Sequence, residues 1–219
     1  MRWLAKAPAW LPLPGIWAYA TGVAFLAGGA AILFRKEARR AALLLSAMIL
    51  ALGVLLHPSE IASNPGILNL WARAVKVISL SGAAALAAGS LHKERGIAGL
   101  EWLVPLGPFF LASFFLIGGI EHFYYARFVY QMIPAWIPAH PFFTYFTGLA
   151  LLAGGIGILI PRVARLAGIL VGLMIFSWVL LLHIPKALSD LHNVGETTAI
   201  FEALALSGAA FLVAEIRKG

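Results

Sequence analysis

The chain has no cysteine, which excludes disulfide bonds, thiolate metal sites and cysteine redox chemistry while leaving the compartment open. Also absent are a phosphate-binding glycine loop, a Gly-x-Ser-x-Gly elbow, a His-Glu-x-x-His pair and a dinucleotide fingerprint. Gly28-Gly29 and Gly154-Gly155 lie inside apolar runs, where they cannot cradle phosphate. No soluble catalytic machinery is visible. Charge is scarce, at 11% of residues, with nine Asp and Glu against sixteen Lys and Arg. In a soluble protein the net charge of +7 would suggest a nucleic-acid partner. Here the basic residues sit in short loops, so membrane topology accounts for them and no nucleic acid is implied.

What is abundant is apolar: 62% of the 219 residues are hydrophobic and the mean hydropathy is +0.92, beyond what a soluble surface allows. The reading is an all-α integral membrane protein. A spanning helix needs roughly 20 residues, and seven stretches qualify or nearly do: Gly15 to Phe34, Ala41 to Leu56, Leu70 to Leu91, Trp102 to Tyr125, Pro141 to Ile160, Ala167 to Leu182 and Thr198 to Ala214. The second and sixth are short and are expected to run on into His57 and His183. The segment before the first span carries Arg2 and Lys6 but is broken by Pro8, Pro12 and Pro14, so it does not read as a cleavable signal peptide.

About ten of the sixteen basic residues, in Arg35 to Arg40, Lys93, Arg95, Arg162, Arg165 and Arg217-Lys218, fall at one side of these spans. That side is expected to be cytoplasmic, with the N-terminus outside, the C-terminus inside and a bacterial inner membrane as the setting.

The chain repeats itself at a fixed offset of 126 residues. Pro8-Ala9-Trp10-Leu11-Pro12 returns as Pro134-Ala135-Trp136-Ile137-Pro138, Gly28-Gly29 as Gly154-Gly155, His57 as His183, and Ser81-Gly82-Ala83-Ala84 as Ser207-Gly208-Ala209-Ala210. Roughly a third of the positions from Pro8 to Lys93 equal their partners without a gap. An even number of spans separates the copies, so they are parallel repeats. The expected organisation is a three-helix first repeat over residues 1–93, a cytoplasmic linker at 94–101 and a four-helix second repeat over 102–219. The first repeat lacks a counterpart of the span from Trp102. The small residues, such as Gly28 and Gly154, read as close helix packing.

Arg73, Lys76, Glu121, His122 and Glu202 fall inside or at the outer end of spans, where an ionised side chain costs roughly 2.5 to 3.5 kcal/mol at a helix centre and faces protein or water. Lys76 and Glu202 are 126 residues apart, so they stand at equivalent depths and are candidates for a structural ion pair or a functional polar site. Arg73 has Glu202 and Glu121 as candidate partners. His57, His122, His140, His183 and His192 all map to the outer side. With nearby carboxylates, His122, His183 and His192 offer the donor types of a metal site, without the spacing of a known ligand motif. His57 and His183 also suit helix-end capping or interfacial anchoring. Trp10, Trp136, Tyr124, Tyr130 and Tyr145 cluster near the same boundary, either as an aromatic belt or as part of a pocket. In the second case the two Pro-Ala-Trp-x-Pro loops fold back as lids and, with Tyr124, Tyr130 and His122, wall a laterally open apolar pocket suited to a lipid tail or a quinone ring.

Gly118-Gly119-Ile120-Glu121-His122-Phe123, then Ile133 to Pro138, Tyr145-Phe146-Thr147-Gly148, Gly154-Gly155, Ala164-Arg165 and Leu182-His183-Ile184-Pro185 together resemble the DoxX family of small bacterial membrane proteins. The resemblance covers the whole second repeat. It implies four-helix bundles, here in tandem, and an association with membrane redox complexes that use quinones. On this resemblance Glu121 and His122 match the family's polar pair at the end of its first helix, and His183 the histidine ending its third.

The leading expectation is therefore a subunit of, or accessory to, a membrane redox complex. It would bind a quinone or lipid near the outer leaflet through Glu121, His122, Tyr124, Tyr130, Trp136, His183 and Glu202, with membrane lipids and other complex subunits as partners. If chemistry occurs there, His122 is the proton carrier and Glu121 its orienting partner. The alternatives are a non-catalytic structural or assembly subunit, in which Lys76 and Glu202 lock the halves together, and a small-molecule transporter.

Overall fold

The computed structural model describes residues 12–217; Trp10 and most of the first Pro-Ala-Trp-x-Pro loop, with Arg2, Lys6 and Lys218, lie outside the described residues. Among the described residues there are helices and connecting turns, with no strand. In order they are α1 (Pro14–Leu33), α2 (Ala38–Leu56), α3 (Pro58–Ser63), α4 (Leu68–Ser90), a 3-10 segment (Ala98–Leu106), α5 (Gly107–Tyr124), α6 (Ala126–Met132), α7 (His140–Leu159), α8 (Ala164–Trp178), a π turn (Val179–His183), α9 (Ile184–Ser189) and α10 (Val194–Ile216). Seven helical stretches of 20 to 27 residues are long and apolar enough to cross a membrane. The second and sixth continue through His57 and His183 to Ser63 and Ser189, as their short apolar cores required.

The helix bounds recur at the offset of the sequence identities. Adding 126 to the bounds of α1, α3 and α4 gives those of α7, α9 and α10. Cap geometry follows too, since the residues preceding α1 and α7, Leu13 and Ala139, both adopt left-handed backbone, φ 49° and 54°. So do hydroxyl bonds: Thr21 donates to the Trp17 carbonyl and Thr147 to that of Phe143, each at 2.7 Å.

The described residues form two compact units that divide between Phe110 and Leu111, near the start of α5. In the first unit α2 packs on α4, and the hydroxyls of Ser46 and Ser81 bridge the two helices by donating to each other's carbonyl, at 2.9 and 2.8 Å. In the second unit α8 packs on α10, and Ser207 donates to the Gly172 carbonyl at 2.8 Å. Lipid is as apolar as Leu, so such associations rest on close packing and interhelical hydrogen bonds rather than on hydrophobic burial. The units fill their seams differently. Positions 46 and 85 are Ser and Ala in the first unit, while their equivalents in the second are Gly172 and Phe211. A Cβ on Gly172 would meet the Phe211 ring at 2.7 Å; the ring occupies the space that a side chain at 172 would need.

The segment 94–101, expected as a linker, is docked on the first unit. Arg39, 9% exposed, donates to the Ala88 carbonyl at 3.0 Å, and its guanidinium forks onto Glu101 at 2.6 and 3.3 Å. Its backbone N–H reaches Glu94 at 3.2 Å. Beside this clamp Ile97, Leu100 and Val104 pack on Ala42, Leu43 and Ala88. A guanidinium buried beside the end of α4 is thereby held through all three of its nitrogens, by one carbonyl and one bidentate carboxylate.

Arg73 corrects the expected pairing. Its guanidinium lies bidentate on Glu60, at 2.8 and 3.1 Å, rather than on Glu202 or Glu121. Glu60 is delivered by α3, the short helix that carries the second span past Pro58 and turns a carboxylate toward α4. His57 likewise does not end a span; it is buried within one, 2% exposed.

Replacing Gly172 by Ser is expected to destabilise the protein by about 1–3 kcal/mol through overpacking. Adding Phe211→Ala, which recreates the Ser46 and Ala85 pairing, is expected to recover most of that loss. A double-mutant cycle of unfolding in mixed micelles measures both.

Candidate functional site

An open cleft of about 730 Å³ lies in the second unit, within the range of roughly 300–1,000 Å³ that suits a small amphiphile. One wall is the C-terminal part of α6 with the loop that follows, including Tyr130, Met132 and Trp136; the other is the end of the sixth span, where the π turn passes into α9, with Leu182, Pro185 and Lys186. His140, which opens α7, also lines the cleft. Since the fifth span begins at His140 and the sixth ends at Ser189, the cleft stands at one face of the membrane-spanning bundle.

Local chemistry shapes both walls. Pro134 and Pro138 keep the loop out of helix by removing N–H donors and fixing φ. It closes instead as a tight turn, Ile137 N–H donating to the Pro134 carbonyl at 2.9 Å. The same carbonyl lies 3.2 Å from His140 Nε2. A carbonyl only accepts, so Nε2 carries the proton and Nδ1 is left as the acceptor. Trp136, at the tip, is 67% exposed, which leaves an indole face open to a ligand. On the opposite wall Pro185 has no N–H to give back to the preceding turn, and the helix just before it widens into the π turn Val179–His183, a common accommodation of a disrupted ladder.

Tyr130 donates its hydroxyl proton to the Tyr145 hydroxyl at 2.9 Å, and their rings meet edge to face. This hydrogen bond, followed by desolvation and the neighbouring phenol, raises the Tyr130 pKa above its ordinary value, against a lowering pull from Arg127. The group is a neutral phenol at neutral pH.

Of the residues proposed from sequence, Tyr130 and Trp136 line the cleft, and Glu121, His122, Tyr124, His183 and Glu202 are not among its lining residues. His122 is used in packing: its Nδ1–H donates to the Gly118 carbonyl one turn back at 2.7 Å, and its ring stacks on Trp178 at 6.2 Å. Gly148 of α7 approaches so closely that a Cβ there would lie 2.8 Å from that of His122. Tyr124 is exposed against Tyr125; Glu121 and Glu202 are half-buried on α5 and α10, and Lys76 is half-buried on α4 in the first unit. His183 is half-buried at the end of the π turn, and His192 is exposed in the turn before α10. Among the described residues no three His, Asp or Glu gather closely enough to hold a metal ion.

Sequence reasoning placed His140 on the outer side without assigning it to the site, and it missed Lys186. The available signal was the repeat itself. Lys186 is the equivalent of Glu60, and Ala199 the equivalent of Arg73, so the ion pair of the first unit has no counterpart in the second.

A family model described as a domain of unknown function (DUF8561) matches residues 111–215. The match begins where the second compact unit begins. No curated protein and no solved structure matches the chain.

Ala139 adopts a conformation that costs a residue with a Cβ roughly 1–2 kcal/mol. Ala139→Gly is expected to raise stability by about 1 kcal/mol, read as a higher midpoint of thermal unfolding in detergent.

Proposed function

We propose that this multi-pass membrane protein binds an amphiphile, a lipid or a quinone, in the cleft beside the Pro134-Ala135-Trp136 turn. The reading places it in a bacterial inner membrane with the N-terminus and the cleft outside. It acts as an accessory subunit rather than as a self-sufficient enzyme. The carrying observation is the cleft itself: apolar on both walls, capped by an open indole, and fitted with a phenol and an imidazole whose proton positions are fixed by Tyr145 and Pro134. A ligand lying there would stack on Trp136 and meet hydrogen-bonding groups at the membrane edge, the arrangement of an amphiphile site. The redox-complex setting is what the resemblance to the DoxX family adds. In this reading His122 stacks on Trp178 as a packing element and is not the proton carrier.

A second reading, an assembly subunit, is favoured by one comparison between the units. Gly148 and Gly155 of α7 receive α5, a Cβ on Gly155 lying 3.2 Å from the Ala112 carbonyl. Their equivalents on α1, Gly22 and Gly29, face open space to 4 Å. The occupant proposed for that face is a single transmembrane helix of another subunit, standing where the first repeat has no helix equivalent to α5.

Trp136→Ala is expected to reduce co-purifying lipid or quinone, counted by native mass spectrometry, by about tenfold, whereas the Glu121→Ala, His122→Ala double variant keeps it. The opposite pattern would return the site to the polar pair. Gly22→Leu is expected to leave thermal unfolding unchanged and to abolish photo-crosslinking of α1 to a neighbouring polypeptide. Gly148→Leu should destabilise the fold by about 1–3 kcal/mol.

A further inference from the structure

The wall of the cleft carries a residue whose charge is opposite to that of its equivalent in the first repeat. At the level of Lys186 the first repeat has Glu60, and Glu60 is matched by the bidentate Arg73. In the second repeat the acid has become Lys186 and the arginine Ala199. Among the described residues Lys186 makes no ion pair. It is half-buried on the wall of the cleft, beside Leu182 and Pro185, and no acidic residue lines the cavity. The hydrogen-bonding inventory is also specific to this repeat: Tyr130, Gln131 and His140 correspond to Leu4, Ala5 and Pro14.

A lysine on the wall of an otherwise apolar cleft, with no carboxylate partner, is a site for an anion. Three features bear on which anion. The flanking walls are apolar, so the ligand carries a hydrocarbon portion. His140 lines the cleft and keeps Nδ1 as an acceptor, because its Nε2 proton is engaged by the Pro134 carbonyl, so a hydroxyl on the ligand has a candidate partner. The cleft stands at the end of two spans, the depth at which headgroups lie.

We propose that the cleft binds an anionic phospholipid, its phosphate on Lys186, a headgroup hydroxyl on His140 Nδ1 and an acyl chain along Leu182, Pro185 and Trp136. This rests on the amphiphile reading above and narrows it from a lipid or quinone to a lipid bearing net negative charge and a hydroxylated headgroup. A phosphatidylglycerol-type lipid has both.

The test is native mass spectrometry of the full chain released from nanodiscs of equimolar phosphatidylglycerol and phosphatidylcholine, with ubiquinone added in a parallel preparation. The wild type is expected to retain one phosphatidylglycerol, about tenfold over phosphatidylcholine. Lys186→Gln and Lys186→Glu should abolish that preference, and Lys186→Arg should restore it. Trp136→Ala should lose both lipids. Equal retention of the two lipids by the wild type, or a preference that survives Lys186→Gln, overturns the charge assignment while leaving an amphiphile site. Retention of ubiquinone in place of either lipid does the same. Displacement by millimolar inorganic phosphate with no lipid retained identifies a free-anion site and overturns the lipid assignment. A wild type that retains no amphiphile of any kind overturns both readings.

Discussion

Each unit depends on two helices approaching closely enough for a serine hydroxyl on one to reach a backbone carbonyl on the other. Ser81 makes this bond to Ser46 and Ser207 makes it to Gly172. In lipid such an approach is the principal means of holding helices together, because apolar side chains gain little by leaving one hydrocarbon for another. It requires small residues along the seam, which is why Ala42, Ser46, Ala85 and Ala88 line it in the first unit and Gly168, Gly172 and Ala210 in the second. Everything else, from the placement of α3 and α9 to the cleft beyond them, hangs from these two pairs.

The two seams differ in ways that keep each locally consistent. Where the first unit has Ser46 and Ala85, the second has Gly172 and Phe211, and the ring fills the volume that a side chain at 172 would need. Where the first unit pairs Glu60 with Arg73, the positions 126 residues on hold Lys186 and Ala199. The first exchange preserves packing and the second avoids a like-charge pair. The second also sets a cation on the wall of the cleft.

Much of the fold is legible because a bilayer imposes a length on apolar runs, and five of the seven spans read from the sequence agree within about four residues at both ends. The runs from Ala41 and Ala167 were too short to cross comfortably, and the structure extends both through a histidine. The partner of Arg73 is not legible because it lies on α3. That helix begins at Pro58, and proline at the end of an apolar run reads as a stop although it is tolerated in a helix's first turn. At the site, Trp136 and Tyr130 announced themselves by residue type and by the proline-bounded loop. His140 and Lys186 did not, since each lies near a helix end far from the other in sequence, and only tertiary packing joins them. The packing of His122 on Trp178 was equally invisible, the two being 56 residues apart.

The Arg39 clamp has a consequence for the charge that the turn before α2 presents. The sequence places four cations there, Arg35, Lys36, Arg39 and Arg40. Arg39 is withdrawn onto Glu101 and the Ala88 carbonyl, and Arg40 lies on Glu37 at 2.7 Å. Half of this basic cluster is therefore answered by carboxylates of the chain itself. Arg35 and Lys36, both exposed, are what the turn offers to its surroundings.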